Sequence, residues 1–166
     1  YYALGRLTTS LPFSPLVSLR GLSAVFGILL IPATYWLMRE LFGRGLIPWV
    51  SATLVAFSPL QYLYAQEARQ YALWTLLVVA ASAALQRALR RDDVINWGVY
   101  GTLVTLGLYS HLLFVLLIPV HAVYGYLASQ SNNAPFLPKA RRWGMVTSAA
   151  LIAFIPWLLV ILVNLV

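Results

Sequence analysis

The sequence predicts an all-α, polytopic membrane helix bundle of about six transmembrane helices. Three observations carry that prediction. The 166 residues are 61% hydrophobic and only 9% charged, against roughly 45–50% and about 25% in an ordinary soluble domain. That leaves too few polar side chains to coat a globule of this size. The apolar residues fall into long runs, and mean hydropathy is +0.82. The basic residues gather in short clusters at every second junction between those runs, the distribution that membrane orientation imposes.

A span needs roughly 20 mostly apolar residues at about 1.5 Å each. Residues 1–166 read as part of one transmembrane domain, with 1–20 as an outer juxtamembrane segment. The first apolar run opens at Gly21, just after Arg20, and covers 21–41; the second covers 46–62 and the third 71–89. Residues 94–128 form one apolar stretch. As a single helix it would be about 52 Å long, too long for a hydrocarbon core of roughly 30 Å. It is expected to break at the polar cluster Tyr109-Ser110-His111, giving spans over 94–109 and 112–128, and the last span covers 144–166. Residues 129–138, with Asn132, Asn133, Pro135 and Pro138, read as a loop. Pro32, Pro119 and Pro156 fall inside spans, where membrane helices tolerate them. Ser23/Gly27, Ala52/Ala56 and the block from Ala80 to Ala84 are small-residue surfaces along which helices can approach closely.

Charge tests the span count independently. The basic clusters are Arg39 with Arg44, then Arg87, Arg90 and Arg91, then Lys139, Arg141 and Arg142. Six spans put all three on one face, which the positive-inside rule makes cytoplasmic. A single span over 94–128 would send the third cluster to the other face. The outer face then holds the run Gln66-Glu67-Ala68-Arg69, His111 and the start of the chain; Arg6 and Arg20 also fall there, against the general bias. The net charge of +7 is thus membrane-flanking charge, and nucleic acid is excluded as a partner. With no cysteine there is no disulfide framework and no thiolate metal site. The chain opens on Tyr1 and ends inside an apolar run, so an internal fragment of a longer protein is expected.

Four acidic residues are present: Glu40, Glu67, Asp92 and Asp93. Three lie on the basic side and are expected to pair locally with Arg39, Arg44, Arg90 and Arg91. Glu67 is the one outer carboxylate, two residues from Arg69. Ionisable groups at the edge of an apolar bundle are costly unless paired or hydrated. Two readings follow. Glu67 and Arg69 tie outer loops together, or they form a site in which Arg69 holds a phosphate through its forked donors. In the second reading Glu67 orients a hydroxyl, a sugar or a divalent metal ion, the one cofactor left open. Gln66 belongs to the same run, and Tyr62, Tyr64 and Tyr71 flank it, either against a sugar face or as an interfacial aromatic belt. His111 is either a helix cap or a member of that site. His121, about 15 Å deeper along its helix, reads as a packing residue. Phosphate-loop, dinucleotide-binding and zinc-helix patterns are absent from the sequence.

The run Ser58-Pro59 followed by Tyr64-Ala65-Gln66-Glu67-Ala68-Arg69-Gln70-Tyr71-Ala72-Leu73 resembles the "SP…YSQEARMYAL" segment of bacterial membrane glycosyltransferases. These are GT-C class enzymes near glycosyltransferase family 39, the dolichyl-phosphate-mannose–protein mannosyltransferase-like group. Ser18 to Gly27 is similar to that family's "ALRLPSALFG", Leu41-Phe42-Gly43-Arg44 to its "LFGRR", and Leu108 to His111 to its "LYTH". Tyr1 to Leu4 resembles the tail of "PPLYYLL". Order and spacing match across about residues 1–115. Ala65 stands for the usual serine, Gln70 for methionine, and Gly21-Leu22 for leucine-proline; no charged position is lost.

The resemblance implies part of a larger GT-C fold that transfers a sugar from a polyprenyl-phosphate donor to an acceptor, outside the bacterial plasma membrane. It assigns Glu67, Arg69, Gln66, Tyr71, His111 and Arg20 to substrate binding. It places the catalytic acidic residue in an outer loop upstream of Tyr1, so this fragment alone is expected to be inactive. The sugar and the acceptor stay open. The other classes are a transporter segment gated by the outer Glu/Arg/His cluster and a membrane subunit without chemistry. Charge near the midplane would favour transport, but here it sits at span ends.

Overall fold

The structure, a computed structural model, describes residues 15–59, 61, 63, 70–131 and 136–165. Those residues are all-helical. The elements are α1 (Pro15–Phe42), α2 (Leu46–Ala56), α3 (Tyr71–Arg91), α4 (Val94–Ser110), a 3₁₀ turn (Leu112–Leu116), α5 (Leu117–Ser131) and α6 (Phe136–Leu165). By length and composition four stretches suffice to cross a membrane: Val17–Phe42, Tyr71–Arg91, Leu112–Gln130 and Leu137–Val160. The architecture is that of a membrane helix bundle.

Side-chain chemistry accounts for the short α2 and for the place of α4 in its unit. The helix in the second apolar stretch ends at Ala56 rather than running to residue 62, because Pro59 disfavours helical backbone at Ser58. The Phe57 N–H closes the end on Thr53 O at 3.1 Å. The 17 residues of α4 include Asn96, Gly98, Gly101 and Gly107. It packs inside its unit, with Trp97, Tyr100, Val104 and Leu108 buried. Two other boundaries shift. α1 starts at Pro15, a residue suited to the first helical position, so Arg20 lies within a helix. α6 starts at Phe136, so Pro138, expected in a loop, sits in its first turn, where no backbone donor is lost.

The chain forms two compact units, Tyr1–Ala83 and Ala84–Val166. In the first, α1 and α2 pack as neighbours, with Tyr35 and Trp49 rings 4.7 Å apart. Gly43 takes φ +79 between them and donates its N–H to Arg39 O at 2.9 Å, a left-handed helix stop that glycine adopts without a Cβ penalty. In the second unit, α4 packs on α6. Their contacts rise together along both helices: Arg142 against Asp92, Trp143 against Tyr100, Tyr109 against Ala153. The two are therefore parallel, with α5 returning between them.

Two features suit a lipid environment. Large apolar side chains face outward, such as Ile28 at 65% exposure and Ile152 at 65%, while Ala81, Ala83 and Ala88 are fully buried; in a bilayer small residues gather at helix contacts. Helix hydroxyls also turn back onto their own backbone. Thr34, Thr75, Ser82, Thr102, Thr105 and Thr147 each donate to the carbonyl four residues earlier, at 2.6–2.9 Å, which satisfies them without water.

Candidate functional site

Of the residues selected from sequence, Gln66, Glu67 and Arg69 lie outside the described residues. Arg20 is exposed on α1, in its second turn. Nineteen residues separate it from Arg39 in the last turn of the same helix, about 28 Å along the axis. Tyr71 opens α3 and is half-buried; its carbonyl accepts from Thr75 Oγ1 at 2.9 Å. Arg20 and Tyr71 belong to the first unit and His111 to the second.

His111 is the residue at which the 94–128 stretch divides. Its extended backbone (φ −157, ψ 128) caps the end of α4 and opens the 3₁₀ turn. Its Nδ1 accepts from Leu113 N–H at 3.1 Å. Beside it, Tyr109 donates to Ala153 O at 2.7 Å and meets Phe154 edge-on and Trp157, with ring centroids 5.5 and 6.3 Å away. This is one end of the second unit: a ring nitrogen, a hydroxyl and an aromatic wall on α6.

The other end is ionic. Asp92 ends α3 with φ 51, a left-handed stop that Asp tolerates, and donates its N–H to Ala88 O at 2.8 Å. Its carboxylate pairs with Arg142 at 2.9 Å and accepts from Trp97 Nε1 at 2.9 Å. Arg142 also donates to the Asp92 carbonyl, and Lys139 donates to Leu89 O at 2.8 Å. Asp93 caps α4 by accepting from Asn96 N–H at 2.7 Å. That backbone donor holds the Asp93 carboxyl below its usual 3.8, with Arg91 adding attraction. The expected local pairing is corrected for Asp92, whose ion pair reaches fifty residues along the chain to Arg142; Asp93 caps the helix end and keeps a local attraction to Arg91. Glu40 accepts from Trp36 Nε1 at 3.3 Å. The 17 residues of α4 separate the two ends by about 26 Å, so His111 stands across the unit from the basic turn.

Between the ends lies a buried polar group that sequence reading reduced to packing. Trp143 Nε1 donates to the Tyr100 hydroxyl at 3.1 Å, and that hydroxyl lies 3.1 Å from His121 Nδ1. The Tyr100 hydroxyl can accept from tryptophan and still either donate to Nδ1 of a neutral His121 or accept from it, so both groups are satisfied inside the bundle. Tyr100 is fully buried and His121 is 4% exposed. Nothing local in the sequence links these three residues; the parallel register of α4 and α6 brings Trp143 onto the Tyr100 hydroxyl that faces His121. Among the described residues no three metal-ligating side chains converge.

A family model described as dolichyl-phosphate-mannose-protein mannosyltransferase matches residues 1–160. No curated protein and no solved structure matches the chain.

Proposed function

Because the chain belongs to the dolichyl-phosphate-mannose-protein mannosyltransferase family, of GT-C type, we propose that it contributes the donor-binding face of a transferase moving a sugar from a polyprenyl-phosphate to an acceptor hydroxyl. The observation that carries this reading is the family match over nearly the whole chain. The basic turns then face the cytoplasm, and His111, with the 66–71 run, opens on the outer side of the plasma membrane. The separation of His111 from the Asp92–Arg142 end supports that orientation.

The chemistry asks for few groups. The bond between the anomeric carbon and the phosphate oxygen breaks as the acceptor oxygen bonds to that carbon. The acceptor proton passes to a carboxylate base, and polyprenyl phosphate leaves. Negative charge grows on the phosphate, and a fixed cation stabilises it there more than in the ground state. Arg69 fits that role, with Arg20 as a second cation. Glu67 positions Arg69 or a sugar hydroxyl, and Tyr71 offers a stacking ring. A lipid-linked donor suits a cavity at a bundle edge, since its tail stays in the bilayer while the phosphate reaches the rim.

The test is transfer from a polyprenyl-phosphate-linked sugar by Arg69→Ala and Glu67→Gln variants of the full-length protein. Loss of about a hundredfold or more is expected for Arg69→Ala, the scale of removing one transition-state donor. Arg69→Lys should retain part of the activity, as a point charge without the fork. Unchanged transfer in Arg69→Ala and Glu67→Gln alike would defeat the site. A lowered unfolding midpoint with normal turnover per folded molecule would return both residues to a structural role.

A further inference from the structure

The second unit holds a cleft of about 170 Å³ at its basic end, far from His111. Its walls are the last turns of α3 (Leu85, Leu89), the middle of α5 (His121, Gly125) and the first turns of α6 (Lys139, Gly144). The register gives it a direction. Leu89, Gly125 and Lys139 lie nearer the basic end, and Leu85, His121 and Gly144 about one helical turn deeper, some 5 Å. The lining is almost wholly apolar, and His121 presents a ring already engaged with Tyr100. Such a cavity suits a hydrocarbon better than water, which needs two to four polar partners.

The mouth is cationic. Lys139 spends one donor on Leu89 O and has two more. Arg90 and Arg91 in the last turn of α3 and Arg141 near the start of α6 are exposed. With Arg142 that makes five cations against two carboxylates, Asp92 and Asp93. Charge complementarity therefore names the occupant. It has a chain that enters a dry slot and an anion that stays at the membrane surface, where basic clusters between helices recruit acidic headgroups.

We propose that this cleft binds an anionic glycerophospholipid, one acyl chain lying between α3, α5 and α6 and the phosphate held by Lys139 and Arg141. The site lies within the second unit, at the end of it opposite His111. Gly125 and Gly144 keep the slot open. A Cβ at Gly144 meets nothing within 4 Å, and one at Gly125 only touches Leu89 at 4.0 Å. Both positions therefore accept a Cβ without a close contact, and a side chain extended from it into the slot would occupy the lipid's place.

Native mass spectrometry of the purified chain tests this, with phosphatidylglycerol and phosphatidylcholine titrated in detergent. The unmodified chain should retain phosphatidylglycerol preferentially. Arg141→Gln, on an exposed residue, should weaken phosphatidylglycerol about fivefold and leave phosphatidylcholine unchanged; adding Lys139→Gln should weaken it about fivefold again. Gly144→Leu should weaken both lipids, with helical content unchanged by circular dichroism. Chain-free glycerophosphoglycerol should not displace the lipid. Equal retention of the two lipids, full retention by Gly144→Leu, or displacement by the bare headgroup would each overturn the proposal.

Discussion

Three glycines along α4 make the packing of the second unit measurable. Each substitution to alanine gains the same local term, up to about 1 kcal/mol of helix propensity, because glycine loses more backbone entropy on folding. The opposing term differs from site to site. At Gly98 an added Cβ meets nothing within 4 Å. At Gly101 it stands 2.6 Å from Val146 Cγ1, one methyl of a side chain on a neighbouring helix. At Gly107 it falls inside contact distance of three ring carbons of Phe114, Cζ, Cε1 and Cε2. Carbon pairs are comfortable at about 3.5–4.0 Å, and Phe114 is 1% exposed, so the ring cannot swing clear without moving its surroundings.

Overpacking of that kind costs about 1–3 kcal/mol. The propensity gain is common to all three, so it cancels between variants. Gly98→Ala and Gly107→Ala should therefore differ in unfolding free energy by about 1–3 kcal/mol, with Gly107→Ala the less stable and Gly101→Ala between them. Unfolding of the purified chain in mixed micelles reads this directly. Pairing Gly107→Ala with Phe114→Leu should recover part of the loss, a non-additivity expected only of residues in contact. If Gly107→Ala is as stable as Gly98→Ala, the corner that fixes His111 is not packed as described.

Tyr100→Phe removes two interhelical hydrogen bonds and no volume; at about 0.6 kcal/mol each, and at most about 1.7, it should lower stability by about 1–3 kcal/mol in the same unfolding assay, and a neutral result would show that the buried polar group is decorative. Asp93 has a depressed folded pKa, so its contribution is present above the ordinary carboxylate value and fades as pH falls below it. Melting followed between pH 6 and pH 3 should therefore show an acid-side loss that Asp93→Asn abolishes while still capping α4, and identical acid profiles would count against the cap. The chain has no cysteine, so introduced thiols are unique. Thiols at residues 93 and 141 should react with an impermeant reagent from one side of the membrane and those at 67 and 111 from the other, and labelling of 67 together with 141 would reverse the proposed donor face.

The helical class and the division at His111 were legible because both follow from local rules: apolar length, and a polar cluster in a stretch too long to be one helix. The stop at Ala56 was also written in Ser58-Pro59, but hydropathy alone carries an apolar run past a proline. What stayed illegible was relational. Asp92 has two arginines beside it in sequence, and nothing local says that its carboxylate turns to Arg142. That choice depends on α6 lying parallel to α4, which brings Nη1 of a third arginine within reach of both the carboxylate and the carbonyl of Asp92. His121 looks like one polar residue in an apolar helix until Tyr100 and Trp143 arrive from two other helices.

The same register constrains orientation more tightly than counting charges does. Arg6 and Arg20 run against the charge bias read from the sequence, so that bias alone has exceptions. Parallel packing of α4 and α6 does not depend on that bias: a chain that leaves along α4 and returns along α5 must bring Lys139 and Arg142 back to Asp92. Only the absolute direction is left to charge. The five cations at the basic end of the second unit, each worth about 1 kcal/mol at an anionic leaflet, support the proposed direction with that end at the cytoplasm. In that orientation the outer rim is poor in cations. A donor phosphate arriving there meets few of them, so removing one arginine from the rim should cost the reaction far more than removing one from the crowded basic end.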